Sequence, residues 1–123
     1  MAFPGTYNFN YYRGDTFQFI IRPKDGNGDP FPLDAYSVPP AGANFTISSA
    51  RGPNPAFTYN ATAVVNPVDD IVTCTISPTT GRNLTTNRTW FYDVQIKDSA
   101  STNVFTLLTG QITVTDDITG ATP

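Results

Sequence analysis

The chain has 123 residues, the usual length of one domain, and a formal net charge of −3 with no histidine. Its seven Lys and Arg residues are scattered, which disfavours a nucleic-acid partner because neutralising phosphates requires clustered cations. The single cysteine, Cys74, excludes an internal disulfide, and no apolar run approaches the ~20 residues of a membrane helix. The amino terminus lacks the basic and apolar regions of a signal peptide, so we expect synthesis and folding in a reducing cytoplasm.

The first twelve residues are predicted to be an extended arm, followed by a β-sandwich domain over residues 13–115 and a tail over 116–123. Aromatic residues crowd the arm, and such a segment is costly to leave in water. We therefore expect the arm to pair with an edge of its own domain or with that of a neighbour. The predicted partner-binding residues of the arm are Phe3, Tyr7, Phe9, Tyr11 and Tyr12.

Alternation of apolar and polar residues predicts β-strands along the rest of the chain. The predicted strands cover residues 16–22, 44–50, 59–65, 71–76, 90–97 and 104–115, with a short extended piece at 31–33. Segments rich in Gly, Pro, Asn and Asp separate them as turns. This spacing of about seven or eight strands predicts a single all-β domain, a sandwich or a barrel.

Two local signals interrupt the strand pattern. Ser77 followed by Pro78 predicts one helical turn with a serine cap, and Gly110 inside the last strand predicts a bulge or bend. The inward-facing residues are expected to supply most of the core. They are Phe17, Phe19, Ile21, Phe45, Ile47, Val72, Cys74, Ile76, Trp90, Tyr92, Val94, Ile96, Leu108, Ile112 and Val114.

The absence of histidine bears on chemistry, because histidine is the commonest general base and metal ligand. Serine–histidine and cysteine–histidine nucleophile pairs are excluded with it. Carboxylate pairs remain at Asp69–Asp70 and Asp116–Asp117, but neighbours on a strand point to opposite faces. We therefore predict a protein that is not an enzyme and needs no cofactor.

Two short motifs have a functional and a plain interpretation. Asp25, Asn27 and Asp29 have the spacing of the first ligands in a calcium loop, but position twelve is Tyr36 where an EF-hand has Glu. A hairpin turn is the favoured interpretation, with calcium as the alternative. The Arg-Gly-Asp sequence at 13–15 would suit cell adhesion, but it too is better interpreted as a turn.

Two residues of the predicted strands also have two interpretations. Cys74 alternates with apolar residues, which indicates an inert core thiol. Phe91 faces away from Trp90 and is the best candidate for an exposed aromatic that stacks on sugar, so a carbohydrate-binding adhesin stays open as an alternative function.

The order of motifs resembles a known family. The chain reads YRGDTF at 12–17, DGNGDP at 25–30, FTI at 45–47, YDVQI at 92–96 and TLLTGQITV at 106–114. This series resembles the immunoglobulin-like domain of small tailed-phage virion proteins, both the amino-terminal domain of baseplate upper proteins and short structural proteins of cyanobacterial phages. The resemblance covers residues 11–119.

The resemblance implies an Ig-like antiparallel β-sandwich that docks on other virion proteins of the capsid, neck, tail or baseplate. It implies no catalytic residues. We expect a virion structural protein, most simply a capsid decoration or accessory protein, with a tail, neck or baseplate docking module for a fibre as the alternative. Self-association of identical copies is compatible with this role, and neither nucleic acid nor membrane is an expected partner.

Overall fold

The computed structural model describes residues 5–24, 27–33, 36, 42–52, 57–86, 88–98 and 104–116, and it is all-β apart from one short helix. The strands are β1 (Gly5–Thr6), β2 (Phe9–Tyr12), β3 (Phe17–Ile21), β4 (Gly42–Ser48), β5 (Thr58–Asn66), β6 (Ile71–Ile76), β7 (Thr89–Lys97) and β8 (Val104–Thr115). The helix α1 (Pro78–Gly81) lies between β6 and β7. In this part of the chain no helix has the length and hydropathy needed to cross a membrane.

The strands form one curled sheet in the order β1-β8-β7-β4-β5-β6-β3, with β2 also paired to β8. The curl turns at β5, which has a different partner for each of its halves. Ala61 and the residues before it pair with β4, and Thr62 and the residues after it pair with β6. The sheet therefore wraps around its own inner face as a half-barrel, and the core lies inside the curl.

The sheet is mixed and not antiparallel throughout, which corrects the prediction of an antiparallel arrangement. Both strands of the arm run parallel to β8, with Gly5 opposite Leu108 and Tyr12 opposite Thr115, whereas every other pairing is antiparallel. The arm runs parallel to β8 because of the direction in which the chain enters the sheet. A tight turn at residues 12–15, with the Asp15 amide bonded to the Tyr12 carbonyl at 3.0 Å, separates β2 from β3, which pairs with β6 on the opposite side of the curl.

The strands and the helical turn predicted from alternation and capping are confirmed within one or two residues at their ends, whereas the short extended piece at 31–33 is not part of a strand. Ser77 caps α1 as predicted, since its side chain accepts a hydrogen bond from the Thr80 amide, and Pro78 occupies the first turn.

The predicted core is confirmed for eleven residues of β4, β6, β7 and β8, which are buried. The three residues of β3 and Leu108 are only partly buried, and they pack against that core. Aromatic rings connect the two sides of the curl: Phe9 stacks on Phe17 with centroids 4.5 Å apart, and Phe45 meets Phe19 edge-on at 5.5 Å. The arm therefore contributes to the core of its own domain.

The irregularity in β8 lies at Leu107, whereas the pairing with β7 is regular at Gly110, where the sequence predicts a bulge or bend. Opposite the adjacent residues Val94 and Gln95 of β7 stand Leu108 and Thr106, so Leu107 is the extra residue. This shift turns Leu107 into the core and moves Leu108 to its margin.

Three core residues of the described ranges lie outside the strands. Leu33 and Leu84 are fully buried, and Tyr36 is nearly so. The loop that carries Leu33 is held by Asp70, whose carboxylate accepts a hydrogen bond from the Leu33 amide at 3.1 Å. Asp70 itself has a positive φ of 53°, a conformation that Asp tolerates better than most residues.

Cys74 is expected to be unreactive in the native state. Its side chain is 0% exposed, and burial raises the pKa of the thiol to about 12, so almost no thiolate forms near neutral pH. Alkylation by iodoacetamide at pH 8 should therefore proceed only as fast as the protein unfolds, and mass spectrometry with and without urea would measure this. Rapid native modification at a rate unaffected by urea would contradict the buried position.

Candidate interaction surface

The arm lies along β8 over its whole described length. The Tyr7 amide donates to the Thr109 carbonyl at 3.0 Å, and the Arg13 amide donates to the Thr115 carbonyl at 2.8 Å. Between β1 and β2 the ladder is continued by a side chain, since the Gln111 amide donates to Oδ1 of Asn8 at 2.9 Å. The arm is thus paired with the edge of its own domain, one of the two arrangements that the sequence allowed.

Gly110 makes the close approach of the arm possible. A Cβ atom at this position would collide with the Tyr7 carbonyl oxygen, would lie 2.8 Å from the Tyr7 carbonyl carbon, and would touch the Tyr92 ring at 3.0 Å. Over this glycine the Tyr92 hydroxyl donates to the Tyr7 carbonyl at 2.6 Å. Burial raises the pKa of the Tyr92 phenol, which therefore keeps its proton and donates this bond.

The five predicted partner-binding aromatics occupy different positions. Phe9 and Tyr11 are buried in the core of their own chain, whereas Tyr7 and Tyr12 are 42% and 58% exposed. Phe3 lies outside the described residues. Of the predicted aromatics that the structure describes, Tyr7 and Tyr12 are therefore the two whose side chains can reach another molecule.

The Arg-Gly-Asp segment is a turn, as the favoured interpretation had it, and it is fixed to the loop after α1. Arg13 donates two hydrogen bonds to the Arg82 carbonyl, at 2.8 and 3.2 Å, and the Tyr11 hydroxyl donates to the Asp15 carbonyl at 2.6 Å. Gly14 has a φ of 89°, with the Arg82 guanidinium packed over it. The Arg13 side chain is therefore engaged within its own domain.

A seam separates the arm from β3, where the two ends of the curled sheet approach each other. One hollow of about 420 Å³ lies along it, lined by Tyr7, Phe19, Ile20, Ile21, Arg22 and Leu108. A second, of about 380 Å³, is lined by residues 7–10 of the arm and by Phe17, Gln111 and Thr113. The first hollow is mostly apolar, and Ile20 on its margin is 46% exposed. No local pattern in the sequence predicts this seam, because it depends on how the whole sheet curls.

The segment considered for calcium forms a hairpin. Lys24 and Pro30 make an antiparallel bridge, and the Phe31 amide donates to the Pro23 carbonyl at 2.9 Å. Asn27 and Asp29 are exposed at its tip, and Asp25 lies outside the described residues. Within the described ranges no three His, Cys, Asp or Glu side chains form a metal-binding group.

The aromatic considered for sugar stacking is covered on one face. Phe91 lies on the outer face of the sheet, and the Arg51 guanidinium sits 5.1 Å from its ring centroid. Arg51 is held there by hydrogen bonds to the Thr109 hydroxyl at 2.8 Å and to the Gly110 carbonyl at 3.3 Å. A sugar ring could stack on this face only after Arg51 had moved.

Asp93 lies close by on the outer face, and burial raises the pKa of its carboxyl group, while the nearby Arg51 partly opposes this rise. Its cross-strand neighbours are Thr46 and Thr109, neither of them acidic.

Because the folded-state pKa of Asp93 is raised, this residue lowers the free energy of unfolding as the pH rises from the unfolded-state pKa to the folded-state pKa. We expect Asp93→Asn to be more stable than the wild type at pH 7, with a smaller difference at pH 3, measured by urea unfolding. An equal difference at both pH values would contradict this origin.

No family model matches the sequence, and no curated protein matches it. Among solved structures, the chain is similar to a family 123 glycoside hydrolase from Clostridium perfringens, studied for glycolipid glycan hydrolysis, with 11% identity and a TM-score of 0.38. The alignment covers 92% of this chain and 23% of the hydrolase, so the chain spans about a quarter of that protein's length. A similarity this low assigns neither a fold nor an activity.

Proposed function

We propose that this protein is a non-enzymatic structural component of a tailed-phage virion, made in the bacterial cytoplasm, that docks on other virion proteins as a capsid decoration or accessory protein. The observation that carries the proposal is the near absence of charge from the sheet. Asp93 and Lys97 are the only charged residues in the eight strands, and both belong to β7. The outer face is built instead from Thr, Asn, Gln and Ser, with apolar positions among them.

The outer face of β3, β5 and β6 illustrates this surface. Thr73 of β6 stands between Ile20 and Val64, which are 46% and 57% exposed, and Thr75 stands between Gln18 and Thr62. Soluble proteins commonly protect exposed edge strands such as β3 with Lys and other charges, and protein interfaces are depleted of charge at their centres. An uncharged, partly apolar sheet face is therefore suited to being covered by neighbours in an assembly.

We also propose that the curled sheet is an Ig-like sandwich in which β5 joins the two layers. One layer would hold β1, β2, β8, β7 and β4, and the other would hold β6 and β3. The contacts of Phe9 with Phe17 and of Phe19 with Phe45, across the inside of the curl, support two facing layers. A crystal structure with the two layers about 10 Å apart would agree with this arrangement.

Cryo-electron microscopy of particles of the phage that encodes the protein tests the proposed function. Many copies over the capsid lattice are expected. A few copies at the neck, tail or baseplate would favour the docking module for a fibre, and a particle without the protein would overturn the proposal. Particles grown without the gene would provide the matched density for comparison.

A further inference from the structure

The edge of β3 that faces the seam has no strand partner among the described residues. β3 pairs only with β6, in a register that runs from Phe17 opposite Ile76 to Ile21 opposite Val72. On its other side, every second residue presents its N–H and C=O groups towards the seam, as on any edge strand. Such an edge is a template for one more strand from another chain.

The side chains around this edge favour a strand of a particular kind. Towards the core side lie Phe19 and Ile21, which with Tyr7 and Leu108 form the apolar wall of the 420 Å³ groove. Because side chains alternate along a strand, Arg22 follows on the opposite face. An incoming strand with an apolar residue next to an acidic one would place the first in the groove and the second beside Arg22.

Two cations, Arg22 and Lys24, lie just beyond the end of β3. Arg22 and Lys24 are both exposed, and neither makes an ion pair with another described residue. The sequence of the chain itself offers a complement. After β8 it continues as Asp116, which lies 3.7 Å from the guanidinium of Arg13 in its own chain, and then as Asp117 and Ile118, an acid followed by a β-branched apolar residue.

We propose that the tail of a second copy adds as a strand along the seam edge of β3, with Ile118 in the groove and Asp117 beside Arg22. In a strand, Asp117 and Ile118 point to opposite faces, which matches the alternation of Arg22 with Ile21. This inference deepens the proposed assembly role, on which its use in a particle rests, and it adds the identity of one contact.

The positions of the two elements favour contact between copies. The tail leaves β8 at Thr115, opposite Tyr12, whereas the groove lies beside Leu108. Seven residues of strand, roughly 23 Å, separate the two along β8. If a second copy is placed end to end with the first, the tail of the second copy lies next to the groove of the first. A contact between two different surfaces repeats from copy to copy, so it produces a ring or an open chain.

Charge exchange in purified full-length protein tests the contact. We expect wild-type protein to associate with rising concentration in sedimentation-velocity experiments, and high salt to weaken the association. Arg22→Asp and Asp117→Arg should each weaken it at least tenfold, and an equimolar mixture of the two variants should recover most of it. Arg88→Asp is the control, because it makes the same change in net charge at an exposed arginine that stacks on Phe57 and Trp90 instead.

Several outcomes would overturn the proposal. These are a wild-type protein that stays monomeric at millimolar concentration, equal effects of Arg22→Asp and Arg88→Asp, or a mixture with no recovery. A change in the amide resonances of residues 19–22 on Asp117→Arg, in protein that is monomeric throughout, would place the tail in the groove of its own chain and would also overturn it. Particle binding is measured in its own experiment. A variant that no longer self-associates but still binds particles would show that docking on the particle does not depend on this contact between copies.

Discussion

Replacing Gly110 with alanine is expected to displace the arm from β8 and to lower the free energy of unfolding by about 2 to 4 kcal/mol. The added Cβ would meet the Tyr7 carbonyl group and the Tyr92 ring. Because the first obstacle is backbone, no change of side-chain rotamer relieves it, and the hydrogen bond from the Tyr92 hydroxyl to Tyr7 is lost with the displacement. Urea unfolding followed by Trp90 fluorescence would measure the stability, and amide exchange at Tyr7 would measure the displacement.

Gly5→Ala is the matched control for this substitution. Gly5 lies on the same arm, and a Cβ there would make an ordinary contact at 3.5 Å with the Leu108 side chain. We expect this variant to stay within about 0.5 kcal/mol of the wild type. If Gly110→Ala were equally mild and its arm amides stayed protected, the close approach of the arm to β8 would be wrong.

Replacing Tyr11 with alanine is expected to cost about 3 to 5 kcal/mol, whereas the same change at the next residue, Tyr12, should cost less than about 1 kcal/mol. Tyr11 is 1% exposed, with its ring against Gly81 and its hydroxyl bonded to the Asp15 carbonyl, whereas Tyr12 is 58% exposed. Both residues are tyrosines of β2, and their side chains project from opposite faces of this strand. Calorimetric unfolding of both variants would measure the difference.

Tyr11→Phe separates the ring from its hydroxyl group. It keeps the packing and leaves the Asp15 carbonyl without this donor, so a loss of about 1 kcal/mol is expected. Equal stability of the Tyr11→Ala and Tyr12→Ala variants would show that the arm does not belong to the core. A small domain has only about 5 to 15 kcal/mol of stability, so the Tyr11→Ala variant should be close to unfolding.

These expectations change how a docking role of the arm should be tested. Deleting residues 1–11 would remove Phe9 and Tyr11 from the core together with any contact to a partner. Loss of particle binding by the truncated protein would then report unfolding as readily as docking. Substitution of the exposed Tyr7 and Tyr12 side chains, with the fold checked by circular dichroism, isolates the surface contribution.

Local alternation predicted the central strands and their faces well. β6 and β7 alternate strictly in burial, because each faces the core on one side only, and their sequences follow this alternation except at Ile71 and Phe91. The cap of α1 was equally predictable, since a serine followed by a proline specifies a local geometry that needs no tertiary contact. Local patterns of this kind depend on residues within a few positions of each other.

The rest depended on contacts between distant parts of the chain. Nothing in the sequence around Leu107 distinguishes it from Leu108, and the bulge is decided by the pairing with β7. A glycine inside a strand indicates a special position at Gly110, but the reason for it is the backbone of Tyr7, which is distant in the sequence. The parallel course of the arm and the seam beside β3 likewise follow only from the path of the whole sheet.

The parallel pairing of the arm with β8 has a mechanical consequence. The chain enters the pair at Gly5, beside Leu108, and leaves it at Thr115, beside Tyr12. A force that pulls the two ends of the chain apart therefore acts along these strands and loads their hydrogen bonds in shear, all together, where an antiparallel pair pulled at its open end would unzip one bond at a time. The hydrogen bonds between the arm and β8 would therefore resist tension applied through both ends of the chain.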